Sequence, residues 1–184
     1  MQDLKKNFFQ IYSLKFKKLI SLNKSTVNNL KVLREKLIDL KKINGKVIIF
    51  GNGGSAAIAN HFSIDLTKIA GIRCVNFNES SLITCYSNDF GYENWVKKSL
   101  EFYADKKDII ILISSSGKSK NMITACKYAK KINCNLVVTF SGFKKNNALN
   151  KLGDVNFWVN SAQYNFIENI HQYLLLSLVD SFKR

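Results

Sequence analysis

Apolar residues recur at helical spacing before the first β-rich run of the chain. Steps of three and four residues predict one apolar stripe along a helix, formed by Leu30, Leu33, Leu37 and Leu40. The preceding segment repeats the pattern with Leu4, Phe8, Ile11 and Leu19. The two segments predict an antiparallel helical pair. Because its exposed stripes must be covered by the core or by another subunit, we expect a homo-oligomer.

From residue 46 onward, short β-rich runs alternate with helical patterns. The runs are KVIIF, IRCVNF, DIIILIS, NLVVTF and, before a terminal helix over about 164–182, VNFWV. This alternation predicts an α/β fold with a parallel sheet and crossover helices. No linker, repeat or low-complexity stretch interrupts it, so we expect one domain. Residues 1–44 would form the helical pair used in oligomerisation, and 45–184 the α/β core with its C-terminal helix.

Composition narrows the class of protein. With 184 residues, 46% of them hydrophobic, the chain is long enough to bury a core. Its apolar runs are far shorter than the roughly 20 residues that cross a bilayer, and its first residues lack the apolar stretch of a signal peptide. We therefore expect a cytoplasmic protein without a membrane segment. The four cysteines are spaced too irregularly for a zinc ribbon or a CxxC motif, which indicates reduced packing residues.

The formal net charge of +15 is a feature typical of nucleic-acid-binding proteins. Only three of the 28 basic residues are arginines, however, and lysine, asparagine and isoleucine are abundant throughout, as in genome-wide compositional bias. The charge is spread along helix faces rather than clustered. We do not expect a nucleic-acid partner.

Two strand ends open into small, polar turns that suit a phosphate group. GNGGS (51–55) follows KVIIF, and SSSGKS (114–119) follows DIIIL. Glycines allow close backbone approach, while hydroxyls and free amides at a helix N-terminus can hold a phosphate. Ligands of open parallel sheets bind at the carboxyl ends of strands. Neither loop matches a dinucleotide or nucleoside-triphosphate motif, and either one alone could be an ordinary tight turn.

The helix after GNGGS carries a second candidate feature. His61 and Asp65 lie four residues apart and hence on one face of that helix. A histidine and a carboxylate at this spacing can bind a divalent metal. A lone histidine on a helix is more often structural, but the glycine-rich turn upstream and Asp65 one turn on favour a functional interpretation.

These motifs make the chain resemble the sugar isomerase (SIS) domain family, and within it the sedoheptulose-7-phosphate isomerases. The resemblance covers nearly the whole chain and rests on GNGGSAAIANHF (51–62), SNDFGY (87–92), ISSSGKS (113–119) and ENIHQ (168–172). It implies a five-stranded parallel sheet flanked by helices and a homotetramer with active sites between subunits. It also implies conversion of sedoheptulose 7-phosphate into a heptose phosphate.

The resemblance assigns roles to individual residues. Those implied to hold the sugar phosphate are Ser114, Ser115, Ser116 and Ser119. Those implied to bind the sugar are Asn52, Ser55 and Asp89, together with the loop glycines Gly53 and Gly54. Asp65 stands where the isomerases have a glutamate, the base that moves a proton between C1 and C2 through an enediol.

The terminal helix departs from the pattern. Glu168 stands at the position of a metal-binding glutamine, and Leu176 at that of a histidine that is both acid and metal ligand. One turn from Glu168, His171 and Gln172 could compensate, although His171 could equally pack in an interface. We expect Asp65, Glu168 and His171 to be the catalytic residues. The predicted ligands of a divalent metal, with zinc as one candidate, are His61, Asp65, Glu168 and Gln172.

Three functions fit these residues. The first is an isomerase of sedoheptulose 7-phosphate or another ketose phosphate. The second is a non-catalytic SIS protein that binds a phosphosugar or a protein such as the replication initiator, which the loss of the histidine at Leu176 favours. The third is an epimerase or lyase that uses the same phosphate loops with other proton carriers.

Overall fold

The computed structural model describes residues 7–183, which form an α/β fold with one parallel sheet. Its strands are β1 (Val47–Phe50), β2 (Cys74–Val75), β3 (Ile109–Ser114), β4 (Leu136–Ser141) and β5 (Val155–Trp158). Their order in the sheet is β2-β1-β3-β4-β5, and all four neighbouring pairs are parallel. The predicted five-stranded parallel α/β fold is confirmed.

Seven α-helices surround the sheet in the described part of the chain. They are α1 (Phe8–Ile20), α2 (Lys24–Lys42), α3 (Gly54–Ala70), α4 (Ser80–Phe90), α5 (Trp95–Tyr103), α6 (Lys120–Lys131) and α7 (Tyr164–Asp180). A short 3-10 turn, Leu149–Lys151, precedes β5. No helix among these is both long and apolar enough to span a membrane.

The central strands contribute to two cores, one on each face of the sheet. Successive strand residues point to opposite faces, so Ile111 packs on one side and Ile110 on the other. Helices α2, α3 and α7 cover the first face, and α5 and α6 cover the second. Strands β3 and β4 are buried along their whole lengths, which is why their sequences are continuous apolar runs.

The two N-terminal helices differ in how well they are covered. Leu33, Leu37 and Leu40 of α2 are fully buried, as the predicted stripe requires. Helix α1 has no buried residue, and Phe9 is 81% exposed. Leu4 of the predicted first stripe lies outside the described residues. Both helices pack mainly on the α/β core rather than on each other; α1 does so through Tyr12, whose ring centroid lies 4.4 Å from that of Phe166.

Strand β2 is shorter than the run IRCVNF predicts. It pairs only with β1, at the edge of the sheet. Side chains of α3 bind the segment: Thr67 Oγ1 accepts a hydrogen bond from the Cys74 amide at 3.1 Å, and Ser63 Oγ accepts one from Asn76 Nδ2 at 2.8 Å. These side-chain bonds attach the short strand and the residue after it to α3.

Candidate active site

The turn between β1 and α3 is shaped by its glycines. Gly53 has φ +54° and ψ −123°, a conformation that residues with a Cβ rarely adopt. The Ser55 amide donates to the Asn52 carbonyl oxygen at 3.0 Å and closes the turn. Helix α3 begins directly after it, so its free amides face the carboxyl end of the sheet.

Residues 114–119, which we call the serine loop, lie beside this turn because β3 is the neighbour of β1. Ser114 Oγ and Ser119 Oγ are 2.8 Å apart, and the Gly117 amide donates to the Ser114 carbonyl oxygen at 2.8 Å. Ser115 Oγ lies 3.4 Å from Ser55 Oγ. Hydroxyls from both strand ends thus meet above the N-termini of α3 and α6, as predicted from the two loops.

A segment that follows β4 supports the serine loop from below. The Gly142 amide donates to the Ser115 carbonyl oxygen at 2.9 Å, and the Leu149 amide to that of Gly117 at 3.1 Å. Buried Asn147 fits so tightly under Gly117 that a Cβ there would lie 2.0 Å from Asn147 Oδ1. Sequence reasoning missed Asn147, because a single asparagine in a loop carries no periodic signal.

Glu168 of α7 reaches the same place. Its Oε1 accepts a hydrogen bond from Ser115 Oγ at 3.3 Å. Its Oε2 lies so close to Gly54 that a Cβ on that residue would be 2.2 Å away. The carboxylate therefore stands over the first turn of α3, where the partial positive charge of the helix N-terminus stabilises it. This position fits the predicted role as a proton carrier near the phosphate loops.

Asn52 is held by two residues that the predicted site does not include. Its side chain exchanges two hydrogen bonds with the buried Asn121, at 2.9 and 3.1 Å. Tyr92 donates its hydroxyl to Asn52 Oδ1 at 3.2 Å. With its oxygen thus occupied, Asn52 retains one N–H for a ligand. Tyr92 lies within the SNDFGY motif, and that motif is its only signal in the sequence.

A second polar group lies further along α3. His61 Nε2 is 3.1 Å from Asp65 Oδ2, and His61 Nδ1 is 3.3 Å from Gln172 Nε2 of α7. Lys68 Nζ pairs with Asp65 Oδ1 at 3.3 Å. His61 and Asp65 therefore share one face, as their spacing predicts, and α7 adds Gln172 to them.

The structure does not place His171 with the other predicted catalytic residues. The ring is fully buried and packs edge-on against Phe140. Its Nε2 lies 3.2 Å from the Ser141 carbonyl oxygen, and burial lowers the pKa of His171 to about 4. A neutral, buried imidazole is not a proton donor at neutral pH, so the expectation that His171 serves as the acid is corrected.

Two further expectations find no support in the geometry. Asp89 lies exposed on α4, where it accepts hydrogen bonds from Cys85 and Asn88 rather than from either loop. No three histidine, cysteine, aspartate or glutamate side chains within residues 7–183 form a group able to hold a metal ion. Glu168 is held at the serine loop, away from the His61 group, so the four predicted metal ligands do not fit one ion within a single chain.

Comparisons with known proteins agree with this architecture. A model of the SIS domain family matches residues 12–141. Phosphoheptose isomerase 1 of Campylobacter jejuni is 36% identical over 152 residues, which cover 78% of this chain and 80% of that protein. The phosphoheptose isomerase of Campylobacter concisus is 31% identical over 183 residues, covering 95% and 93%. The structure of phosphoheptose isomerase GmhA from Neisseria gonorrhoeae superposes with a TM-score of 0.84 at 25% identity, covering 99% and 98%.

Proposed function

The chain belongs to the SIS domain family, and on that basis we propose that it is a phosphoheptose isomerase that interconverts sedoheptulose 7-phosphate and its aldose isomer. The relatives named above carry that activity in their names and match most of the chain. The structural neighbour of Neisseria gonorrhoeae shares the whole fold.

The observation that carries this proposal is the meeting of two hydroxyl-bearing loops at adjacent strand ends. Ser55 Oγ and Ser115 Oγ lie 3.4 Å apart, above two helix N-termini. Amides and hydroxyls in this arrangement bind a phosphate through charge-assisted hydrogen bonds. Ser114, Ser116 and Ser119 belong to the same loop and are the other proposed phosphate ligands.

Isomerisation also needs groups that move a proton between neighbouring carbons. Asp65 is the proposed base: it takes the proton from the carbon beside the carbonyl and returns it to the next carbon of the enediol. Glu168, at the serine loop, is the second proton carrier. No step is assigned to a metal here. Metal analysis of the purified protein tests the predicted divalent-metal site separately.

The separation of the two polar groups supports an oligomeric site. Gly54 and Asp65 are eleven residues apart on α3, about 16 Å along its axis. A seven-carbon chain with C–C bonds of about 1.5 Å, even with its phosphate ester, is shorter than this axial separation, which favours a site that combines groups from two chains. We therefore propose that the serine loop of one subunit works with Asp65 of another.

A cytoplasmic location stays a prediction.

The exposed face of α1 is the proposed contact between subunits. A groove of about 800 Å³ lies between α1 and the start of α7, and aromatic side chains such as Phe8 and Tyr164 line it. Light scattering should give a mass well above the 21.0 kDa of one chain. A monomer at micromolar concentration would contradict the shared site.

The activity is tested by incubating the purified protein with sedoheptulose 7-phosphate and following new anomeric signals by NMR. Asp65→Asn keeps the shape and removes the base, so turnover should fall below a tenth of wild type, a loss of at least about 1.4 kcal/mol, while phosphate binding persists. Asp39→Asn, an exposed acid on α2, is the matched control. If Asp65→Asn kept more than a tenth of the activity, Asp65 would not be the base.

A second candidate is a non-catalytic phosphosugar-binding protein. Leu176 stands where the resemblance expects a histidine, and the buried His171 does not replace it as an acid. The same experiment separates the two: calorimetric binding of the sugar phosphate without turnover would favour the binding protein.

A further inference from the structure

His171 is a fully buried polar side chain that the proposed isomerisation does not use as a proton carrier. Its only hydrogen-bond partner within residues 7–183 is the Ser141 carbonyl oxygen, 3.2 Å from Nε2. A carbonyl oxygen only accepts, so Nε2 carries the hydrogen and the ring is the Nε2–H tautomer. Nδ1 is buried and has no partner among the described residues. The ring is therefore built to donate one hydrogen bond.

The peptide group that receives this bond leads directly to the serine loop. The Ser141 carbonyl oxygen accepts a hydrogen bond from the Val159 amide at 2.9 Å as well as the one from His171. It shares one planar peptide unit with the Gly142 N–H, so the two donors that hold the oxygen also fix the direction of that N–H. That N–H donates to the Ser115 carbonyl oxygen at 2.9 Å. Two hydrogen bonds in series through one peptide group polarise and strengthen each other.

Close packing of α7 keeps this peptide group in place. A Cβ on Gly142 would lie 2.5 Å from Ile167 Cδ1, so only glycine lets α7 approach so closely. One turn before His171, Glu168 accepts the hydrogen bond of Ser115 Oγ at 3.3 Å. Helix α7 thus contacts Ser115 in two ways. Glu168 binds the Ser115 hydroxyl directly, and His171 acts on the Ser115 carbonyl oxygen through the Ser141–Gly142 peptide group.

From this geometry we infer that His171 is a positioning residue that holds the serine loop, and with it the phosphate site, through the Ser141–Gly142 peptide group. The inference rests on the proposed function only where it assigns phosphate binding to the serine loop. The backbone relay itself is independent of the substrate.

The test compares two replacements of His171. His171→Leu keeps an apolar side chain of similar size and removes the donor, whereas the amide nitrogen of His171→Gln can replace Nε2–H. Calorimetry with inorganic phosphate should show affinity reduced about fivefold in the leucine variant, which corresponds to about 1 kcal/mol, and within twofold of wild type in the glutamine variant. Hydrogen exchange should be faster in peptides covering 113–119, but not in peptides covering 58–66.

Leu178→Ala is the matched control, because Leu178 is buried on the same helix, about two turns further on. It should destabilise the protein without selective loosening of the serine loop. If His171→Leu does not fold, His171→Asn, whose amide is one methylene short of Ser141, should show the same selective loss.

Three results would overturn the inference. The first is that hydrogen exchange of the serine loop in His171→Leu equals that of wild type. The second is that His171→Gln binds phosphate as weakly as His171→Leu. The third is that Leu178→Ala speeds exchange of the serine loop as much as His171→Leu does. Wild-type protein that binds no phosphate would instead contradict the proposed function, while the exchange comparison would still decide whether His171 holds the loop.

Discussion

Replacing Gly54 by alanine should displace the Glu168 carboxylate without unfolding the protein. Gly54 is in the first turn of α3 with ordinary helical φ, so alanine fits its backbone. The new Cβ would lie 2.2 Å from Glu168 Oε2 and 2.8 Å from Cδ, far inside van der Waals contact. The obstacle is the end of a flexible side chain, so the carboxylate moves and its 3.3 Å bond with Ser115 breaks.

The energetic consequence for stability should be small. A hydrogen bond to a charged group contributes about 1.5–3 kcal/mol when buried, and less here because Glu168 is only partly buried. Replacing glycine by alanine at a compatible position stabilises the fold by about 0.4–1 kcal/mol, because it lowers the conformational entropy of the unfolded chain. We expect a net loss within about 1 kcal/mol, or a shift of about 2–4 °C in Tm.

The consequence for turnover should be larger. A positioned acid or base contributes about two to four decades of rate, so displacing Glu168 should reduce kcat at least tenfold in the NMR assay with sedoheptulose 7-phosphate. In Glu168→Ala protein the added methyl group meets no carboxylate, so adding Gly54→Ala should reduce kcat little further. The double-mutant cycle should then give a coupling of at least about 1.4 kcal/mol. Equal losses in both backgrounds would show that the methyl acts on something other than Glu168.

Three further predictions concern the serine loop, His171 and a buried ion pair. Ser116→Asp should weaken binding of inorganic phosphate at least tenfold, about 1.4 kcal/mol, by charge repulsion, whereas unchanged calorimetric affinity would remove Ser116 from the site. Burial lowers the pKa of His171 to about 4 from 6.5, so between these pH values the unfolded state binds more protons than the folded state. The free energy of unfolding should therefore fall by on the order of 2–3 kcal/mol as the pH drops through that window. His171→Gln should show a smaller fall when both proteins are unfolded in urea. Asp108→Ala should cost about 3 kcal/mol, since the buried carboxylate accepts hydrogen bonds from the Lys46 amide and ammonium at 3.0 and 2.6 Å, while Asp105→Ala, at an exposed site, should cost less than about 1 kcal/mol.

The sequence was most informative where a signal is local or periodic. Continuous apolar runs predicted β3 and β4, and the small polar residues after β1 and β3 predicted two loops that meet in space. Parallel neighbouring strands necessarily bring their carboxyl ends together, so this part of the site follows from strand order. The pairing of His61 with Asp65 follows from helical spacing alone.

Contacts that depend on the rotation of a helix could not be predicted in this way. Glu168, His171 and Gln172 are within one turn, yet each residue turns the helix by about 100°. In the structure Glu168 faces Gly54 and Gln172 faces His61, whereas His171 points to the end of β4. Only the packing of α7 against both α3 and the sheet sets that rotation. Asn147 was missed for a related reason, since its partner Gly117 is thirty residues away in sequence.

The arrangement of α3 and α7 explains why the polar residues form two groups rather than one. Both helices run in the same direction where they touch, because Glu168 meets Gly54 and, one turn later, Gln172 meets His61. The residue one turn further along α7 is Leu176, an apolar side chain. The proposed base Asp65 is paired with His61 towards one end of α3, while the proposed second proton carrier, Glu168, lies over the other end. The proposed shared site would bring Asp65 of a second subunit to the serine loop.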